Sequence, residues 1–336
     1  MTFDERVTAL ASLGFSERQT RFLVMVALHS GFCLRRHYTA FADLQYGAGV
    51  RDFLDRLVSR RLARRLDFRR DRGHVYHLYH SSIYAALEQN DNRNRRRTSA
   101  ALIARKLMLL DYVLAHREAD WYATEADKVE LFTSHLGVPG GELPRRVYLP
   151  QRPNVAPTTR HFIHKLPISL TGHPPVPSLV FLVTDTEGRA FGQFLNDHLT
   201  LLNCLSEWQI VAVAPRHLPG LRACEAVFSD FARGRQTRGD LIADLETHFV
   251  TRDRIERQDW AEVSMEQINT FRETRERFAS DRVEMLYARW KAGERFVLRT
   301  PSSAACLGVP ACSRGSLVTY QLPIRYDRFG TYAGVV

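Results

Sequence analysis

The side chains best suited to catalysis are histidines and carboxylates at a few points along the chain. His74, His77 and His80 recur at every third position, and His161 and His164 have the same spacing. On an extended strand, side chains three positions apart point to opposite faces, so such histidines cannot share one metal ion. We therefore interpret His74, His77 and His80 as exposed histidines of a hairpin.

A carboxylate pair, Asp185 and Glu187, follows the apolar run 178–184, which predicts a strand. Folds with alternating strands and helices often place functional carboxylates after a strand. A restriction-type nuclease also needs an Asp/Glu-x-Lys group on the next strand, and the run 209–214 (Gln-Ile-Val-Ala-Val-Ala) has none. A metal-dependent nuclease that uses Asp185 and Glu187 is therefore only a third hypothesis.

Other catalytic and metal-binding motifs are missing from the sequence. It has no Gly-x-x-x-x-Gly-Lys-Ser/Thr loop for a nucleotide, and its five cysteines form no Cys-x-x-Cys pair. We expect free thiols, no metal and no cofactor, and we expect that the protein is not an enzyme. The N-terminus lacks a signal-peptide pattern, and no run of about 18 apolar residues is long enough for a membrane span. We therefore expect a cytoplasmic protein with no membrane partner.

Positive charge is concentrated in the first hundred residues. They carry a net charge of +8, whereas the other 236 residues carry only +2 of the total of +10. Such an asymmetry is typical of an N-terminal domain that binds a polyanion, joined to a nearly neutral body.

The same region has the pattern of a winged helix-turn-helix. Ser16 and Gln19 form a capping box that predicts a helix over 16–29, ended by Gly31. A short helix over 37–44, a turn over 47–49 and an amphipathic helix over 49–61 follow. Extended runs at 64–68 and 74–79 flank a polar turn at 69–73, and a last helix spans 81–87. The predicted winged helix-turn-helix covers residues 1–90.

Apolar spacing supports this interpretation. The pattern runs from Tyr38-x-x-Phe41 through Val50-x-x-Phe53-Leu54-x-x-Leu57 to Tyr76-x-Leu78. It resembles winged-helix regulators of the MarR kind, and it is similar to the replication-relaxation proteins of mobile elements. The resemblance covers about a quarter of the chain and implies DNA binding. These families usually place glycine where the recognition helix gives way to the strand, whereas here Arg61 or Ala63 stands at that point.

The helix Gly49–Arg61 is the predicted recognition helix, because a major groove admits an α-helix and arginine binds both guanine and phosphate. Asp52 and Asp55 lie on the same helix and would repel phosphate. The hairpin tip is the predicted wing, and residues 88–98 are a predicted basic linker or flexible arm that includes Arg93. The predicted DNA-binding residues are Arg51, Arg56, Arg60, Arg64, Arg69, Arg70, Arg72, Arg95, Arg96 and Arg97.

Beyond residue 90 we predict a basic linker and helical connector over 91–150, with helices at 99–115 and 121–136. The Pro- and Gly-rich stretch 137–159 marks a boundary, and residues 151–336 form the predicted α/β domain. Its strand–helix–strand order predicts a parallel crossover. Strands are predicted at 161–170, 178–184, 209–214 and within 317–332, and helices at 188–205, 218–232 and through most of 239–292.

The predicted fold class is α+β, with an N-terminal winged helix-turn-helix followed by an α/β domain that has a small, partly parallel sheet. The leading hypothesis is a sequence-specific transcriptional regulator that binds double-stranded DNA, with a possible homodimer formed through the C-terminal domain. The second is an accessory DNA-binding protein for replication or mobilisation of a plasmid or other mobile genetic element. Winged helices also serve as protein-interaction modules, which leaves that alternative open.

Overall fold

The protein is an α+β molecule, as predicted. Its computed structural model describes residues 1–45, 47–67, 74–148, 158–162, 166–172, 175–260, 263–275, 278, 281–294 and 314–326. An N-terminal helical region with a small antiparallel sheet is followed by a mixed five-stranded sheet. Among the described helices, none is both long enough and apolar enough to cross a bilayer.

Four of the five N-terminal helices begin and end close to the predicted positions, whereas the first was not predicted. They are α1 (Phe3–Ala11), α2 (Glu17–His29), α3 (Arg35–Ala42), α4 (Ala48–Ser59) and α5 (Ser81–Ala86). The predicted capping box is present at α2, where Ser16 Oγ accepts from the Gln19 amide and Gln19 Oε1 accepts from the Ser16 amide. Gly31, with φ of +76°, follows α2 in the left-handed conformation that glycine adopts without a steric penalty.

Three short antiparallel strands complete this region: β1 (Phe32–Cys33), β2 (Ala63–Asp67) and β3 (His74–Leu78). Their order in the sheet is β1–β3–β2, so β2 and β3 are neighbours and form a hairpin. In the chain this hairpin follows α4 directly. Tyr76 and Leu78 belong to the core formed with the helices, around Phe22, Tyr38 and Phe53. Helices and sheet together are compatible with a winged helix. Residues 68–73, which include the predicted wing, lie outside the described residues.

Helix α6 (Ala100–Ala115) packs between this small sheet and the larger C-terminal sheet. It begins at Ser99, whose side chain accepts from the Leu102 amide, as expected for a predicted start at that residue. One apolar cluster joins α6 to strands of both sheets. Its buried members include Phe32, Val75, Ile103, Leu107, Val113, Val180, Val211 and Val213.

The connector after α6 differs from the prediction. Residues 121–136 were expected to form one helix, but Trp121 lies in a strand, β4 (Asp120–Tyr122). Helix α7 (Glu125–Glu130) begins only after Thr124, which caps it through the Asp127 amide, and a π-helical turn over 131–135 continues it. Two strands, β5 (Arg145–Tyr148) and β6 (Thr158–His161), then form a separate antiparallel ribbon.

The larger sheet has the order β10–β9–β8–β7–β4. Its remaining strands are β7 (Ile168–Thr171), β8 (Val176–Leu182), β9 (Glu207–Pro215) and β10 (Arg314–Leu322). Strand β9 is parallel to both β8 and β10, and the other pairs are antiparallel. The predicted parallel crossover is therefore present between β8 and β9. The single strand predicted over 161–170 is wrong, because β6 ends at His161 and β7 begins at Ile168.

The crossover consists of two helices, α8 (Arg189–Asp197) and α9 (Leu199–Cys204), where a single helix was predicted. The break falls at His198, whose Nδ1 lies 2.8 Å from the Phe194 carbonyl oxygen. Helix α10 (Leu221–Glu256) is much longer than the predicted 218–232. Its C-terminal half packs with α12 (Asp281–Lys291) around Phe249, Leu286 and Trp290 in a separate core, and it contacts α11 (Met265–Arg275) through His248, whose ring stacks on Phe271.

Two glycines give a test of this packing. A Cβ atom at Gly31 would lie 2.4 Å from the Asn94 carbonyl oxygen, whereas a Cβ atom at Gly49 in α4 meets nothing within 4 Å. We expect Gly31→Ala to lower the free energy of unfolding by at least about 2 kcal/mol, through left-handed strain and the clash. The matched Gly49→Ala should raise it by up to about 1 kcal/mol. Denaturant unfolding measures both variants, and equal effects would contradict the packing at Gly31.

Candidate nucleic-acid interface

Helix α4, the predicted recognition helix, is well packed on one side. Val50, Phe53, Leu54 and Leu57 are buried against α2 and α3. With 3.6 residues per turn, the side opposite this face contains Ala48, Asp52, Asp55 and Ser59, all exposed. Arg51 lies at one edge of this strip, and Arg56 and Arg60 lie at the other.

Arg56 and Arg60 are held against the turn between α1 and α2. The Arg56 guanidinium lies 4.6 Å from the centre of the Phe15 ring and donates to Gln19 Oε1 at 2.6 Å. The Arg60 guanidinium lies 5.3 Å from the same ring and donates to the Leu13 carbonyl oxygen at 2.5 Å. Both predicted DNA-binding residues therefore also fix the C-terminal half of α4.

Arg51 lies in the first turns of α4 and is exposed, with no salt bridge to any described residue. Recognition helices contact base edges mainly through their N-terminal residues. Asp52 and Asp55 lie beside Arg51 on the outermost strip, where a carboxylate can accept a hydrogen bond from a cytosine amino group but repels phosphate. The surface of α4 is therefore mixed in charge, with a cation at each edge.

Arg61 is one of the two residues, with Ala63, that stand where the resembling families usually place glycine. Its φ is +57°, so a residue with a full side chain adopts the left-handed conformation directly after α4. This conformation costs a non-glycine residue about 1 kcal/mol or more. Helix α4 therefore turns into β2 through a left-handed residue that is not glycine.

A second group of cations lies on the opposite face of the hairpin from α4. The Arg64 guanidinium lies 4.2 Å from the centre of the Tyr79 ring. Burial lowers the pKa of Arg64, and the nearby charge of Arg97 lowers it further. Arg96 and Arg97 are exposed, and Arg95 donates to the Asn90 carbonyl oxygen at 2.6 Å. A shallow polar pocket of about 220 Å³ adjoins them, lined by Tyr79, Asn90, Asp91, Asn92, Arg95 and Arg96.

The segment that carries these arginines is anchored, although a linker or flexible arm was expected there. Asn94 Nδ2 donates to the carbonyl oxygens of Ala27 and Leu28 at the end of α2, at 2.9 and 3.1 Å. Its side-chain oxygen accepts from Lys106 of α6, which also donates to the Ser30 carbonyl oxygen at 2.9 Å. Asn94 therefore holds Arg93–Arg97 beside β3.

His77 is buried, so its interpretation as an exposed hairpin histidine is wrong. Its ring stacks on Phe32 at 4.1 Å, and its Nε2 lies 2.9 Å from the Asn94 carbonyl oxygen. A carbonyl oxygen only accepts, so Nε2 carries the hydrogen. Burial lowers the pKa of His77 to about 4. The sequence does not indicate the burial of His77, because the helix that covers this face of β3, α6, lies further along the chain.

Three of the remaining candidates for metal or acid–base chemistry, His74, His80 and Asp185, have local structural partners. His74 Nδ1 lies 2.6 Å from Asp67, and His80 accepts from the Ser82 amide at the start of α5. Asp185 accepts from three backbone amides, those of Glu187, Gly188 and Ala190, at 3.0, 2.5 and 3.2 Å, and so caps α8. Within the described ranges, no group of three or more potential ligands could hold a metal ion.

Three predicted DNA-binding residues, Arg69, Arg70 and Arg72, lie outside the described residues, as does His164. The predicted roles of the other arginines stay predictions. Comparison of the chain with protein-family models, with curated proteins and with solved structures gives no match.

The buried His77 predicts a pH dependence of stability. Its pKa falls from about 6.5 in the unfolded chain to about 4 in the folded protein. The unfolded state therefore binds the proton first, and stability that is complete above pH 6.5 is lost as pH falls towards 4. We expect His77→Gln to reduce the slope over this range by up to about 1.4 kcal/mol per pH unit. Urea unfolding at several pH values measures it.

The control for that measurement is His135→Gln, because His135 is exposed at the end of the π-helical turn. Its unfolding curves should run parallel to those of the original protein at every pH. A His77→Gln variant that kept the original slope would show that His77 gains its proton as readily when folded as when unfolded.

Proposed function

We propose that the protein is a sequence-specific DNA-binding protein that acts as a transcriptional regulator through a winged helix in its N-terminal region. The observation that carries the proposal is the arrangement of α3, α4 and the β2–β3 hairpin in one packed unit, with Arg51 exposed near the start of α4. In this proposal α4 lies in the major groove, and the residues at its N-terminal end read base edges.

Charge supports the same assignment. Arg64, Arg96 and Arg97 lie close to the hairpin, and no described carboxylate forms a salt bridge with them. Cations that the protein leaves unneutralised can replace the counterions condensed on DNA, which supplies most of the sequence-independent part of binding. These arginines therefore contact phosphates, while α4 contacts bases.

The shared core around α6 supports a role for the C-terminal part in regulation. The small sheet and the larger sheet pack on the same helix, so a change in the larger sheet would act through packed side chains on the small sheet, whose strand β2 follows α4. We propose that the C-terminal part senses a ligand or forms a homodimer. In the homodimer, the C-terminal part sets the positions of the two copies of α4 on symmetric half-sites of the DNA.

Selection of sheared genomic DNA on the full-length protein, followed by sequencing, tests the function. We expect sharp enrichment of a few sites with symmetric half-sites about one helical turn apart. Arg51→Ala should weaken binding to an enriched site about tenfold or more, because a bidentate base contact contributes about 1–3 kcal/mol. Arg222→Ala, an exposed arginine on α10, is the matched control and should bind normally.

Two other outcomes of this selection would support a different function. A single enriched site beside a replication or transfer origin would favour the accessory role in a mobile element. An absence of enrichment over bulk DNA would refute sequence-specific binding and leave a protein-interaction module.

The acidic strip of α4 gives an independent test of its orientation. If Asp52 and Asp55 face the groove, their charges oppose phosphate on every sequence. We expect the double variant Asp52→Asn/Asp55→Asn to bind random-sequence DNA several-fold more tightly and to discriminate less between the enriched site and random DNA. The control Asp259→Asn changes an exposed carboxylate at the end of α10. Fluorescence anisotropy with both DNAs measures the ratio of the affinity for the enriched site to the affinity for random DNA. An unchanged affinity of the double variant for random DNA would show that Asp52 and Asp55 do not face the duplex.

A further inference from the structure

The two-stranded ribbon formed by β5 and β6 belongs to neither sheet and is exposed on both faces. Seven of its eight residues are exposed, including the large side chains of Val147 and Tyr148 at 51% and 41%. An isolated two-stranded ribbon has no apolar face to bury and is marginal in water. Burial of apolar side chains therefore does not account for the residues of this ribbon.

The base of the ribbon is fixed to the body. The Phe162 amide donates to the Pro144 carbonyl oxygen at 2.8 Å, and the Phe162 ring stacks on Phe132 with 5.4 Å between centres. Glu125 of α7 accepts from the His161 amide at 2.8 Å. The strands thus project from a rigid support that α7 and the core supply.

The register of the ribbon places two arginines side by side. Arg146 pairs with Arg160, and Tyr148 pairs with Thr158, so these four side chains share one face. Like charges directly opposite each other on a sheet are destabilising. The one described carboxylate near them, Glu125, lies 3.8 Å from Arg160, and the Arg160 side chain remains 56% exposed. Arg145 adds a third cation on the other face, beside His161.

We propose that the ribbon binds the phosphate backbone of duplex DNA through Arg146 and Arg160. This inference rests on the proposed DNA-binding function and adds a second contact surface to α4. The paired, exposed guanidinium groups can bind a polyanion that relieves their mutual repulsion, and the Thr158 and Tyr148 hydroxyls on the same face are further donors to phosphate oxygens. A two-stranded ribbon also fits the width of a major groove.

The test measures the salt dependence of binding with the full-length protein and a DNA duplex selected by the protein. Each phosphate contact contributes about 0.9 to the slope of log K against log salt. We expect Arg146→Ala/Arg160→Ala to reduce that slope by about 1 to 2 units, with the selected sequence unchanged. Arg189→Ala/Arg222→Ala, two exposed arginines outside the ribbon, is the matched control and should keep the original slope.

The outcomes separate this inference from the proposed function. If the original protein binds the duplex and the ribbon variant keeps the full slope, the ribbon inference is overturned while the function of α4 stands. If the original protein binds no DNA, the function itself is overturned. A ribbon variant that keeps its slope but changes its mass in solution would overturn the inference in favour of an interface between two copies. A thermal unfolding curve checks that the exposed substitutions leave the fold intact.

Discussion

The burial of α6 between two sheets is the constraint on which the rest of the structure depends. Ile103, Leu107 and Val113 pack against Phe32 and Val75 of the small sheet and against strands of the larger one. An α-helix that is apolar on most of its surface must be covered on several sides. Neither sheet alone covers it, so the N-terminal region and the C-terminal part fold around the same helix. The position of α4 relative to the larger sheet follows from this shared core.

Two buried polar contacts fix the direction in which α6 packs. Asn94 joins α6 to the end of α2 through Lys106. Asp111, further along α6, accepts hydrogen bonds from both terminal nitrogens of Arg36 and from the hydroxyl of Tyr326. Burial opposes its ionised form, but these partners and nearby His37 outweigh burial and lower the pKa of Asp111. A buried carboxylate without such partners would be strongly destabilising, so α3 is tied in register to both α6 and the segment after β10.

The sequence predicted most of the elements whose signals are local, although it missed α1 despite the capping box of Thr2 and Glu5. The Ser16–Gln19 capping box and the apolar spacing of α4 are confirmed, because each depends on a few adjacent residues or on one period. The parallel crossover is confirmed as well, because it follows from the order of strands and helices along the chain. Trp121 was placed in a helix because three residues are too few to show the period of a strand. His77 was placed on a surface because its burial depends on Phe32 and on α6 rather than on its neighbours in sequence. Arg146 and Arg160 become neighbours only through strand pairing.

Under the proposed function, the distribution of charge on the described surface would let one protein bind phosphate and still discriminate between sequences. The centre of the exposed strip of α4 carries Asp52 and Asp55, and Arg51 lies at its edge, while Arg64, Arg96 and Arg97 lie on the opposite face of the hairpin. Acidic groups that faced a duplex would weaken binding unless a base offered a donor to them, whereas cations that contacted phosphates would contribute on every sequence. Discrimination between sequences would then depend on how the contribution of the acidic groups, which varies with the base, compares with that of the cations, which does not. Under the two proposals, the ribbon arginines would strengthen binding to every sequence and leave discrimination to α4, because they would contact phosphates rather than bases.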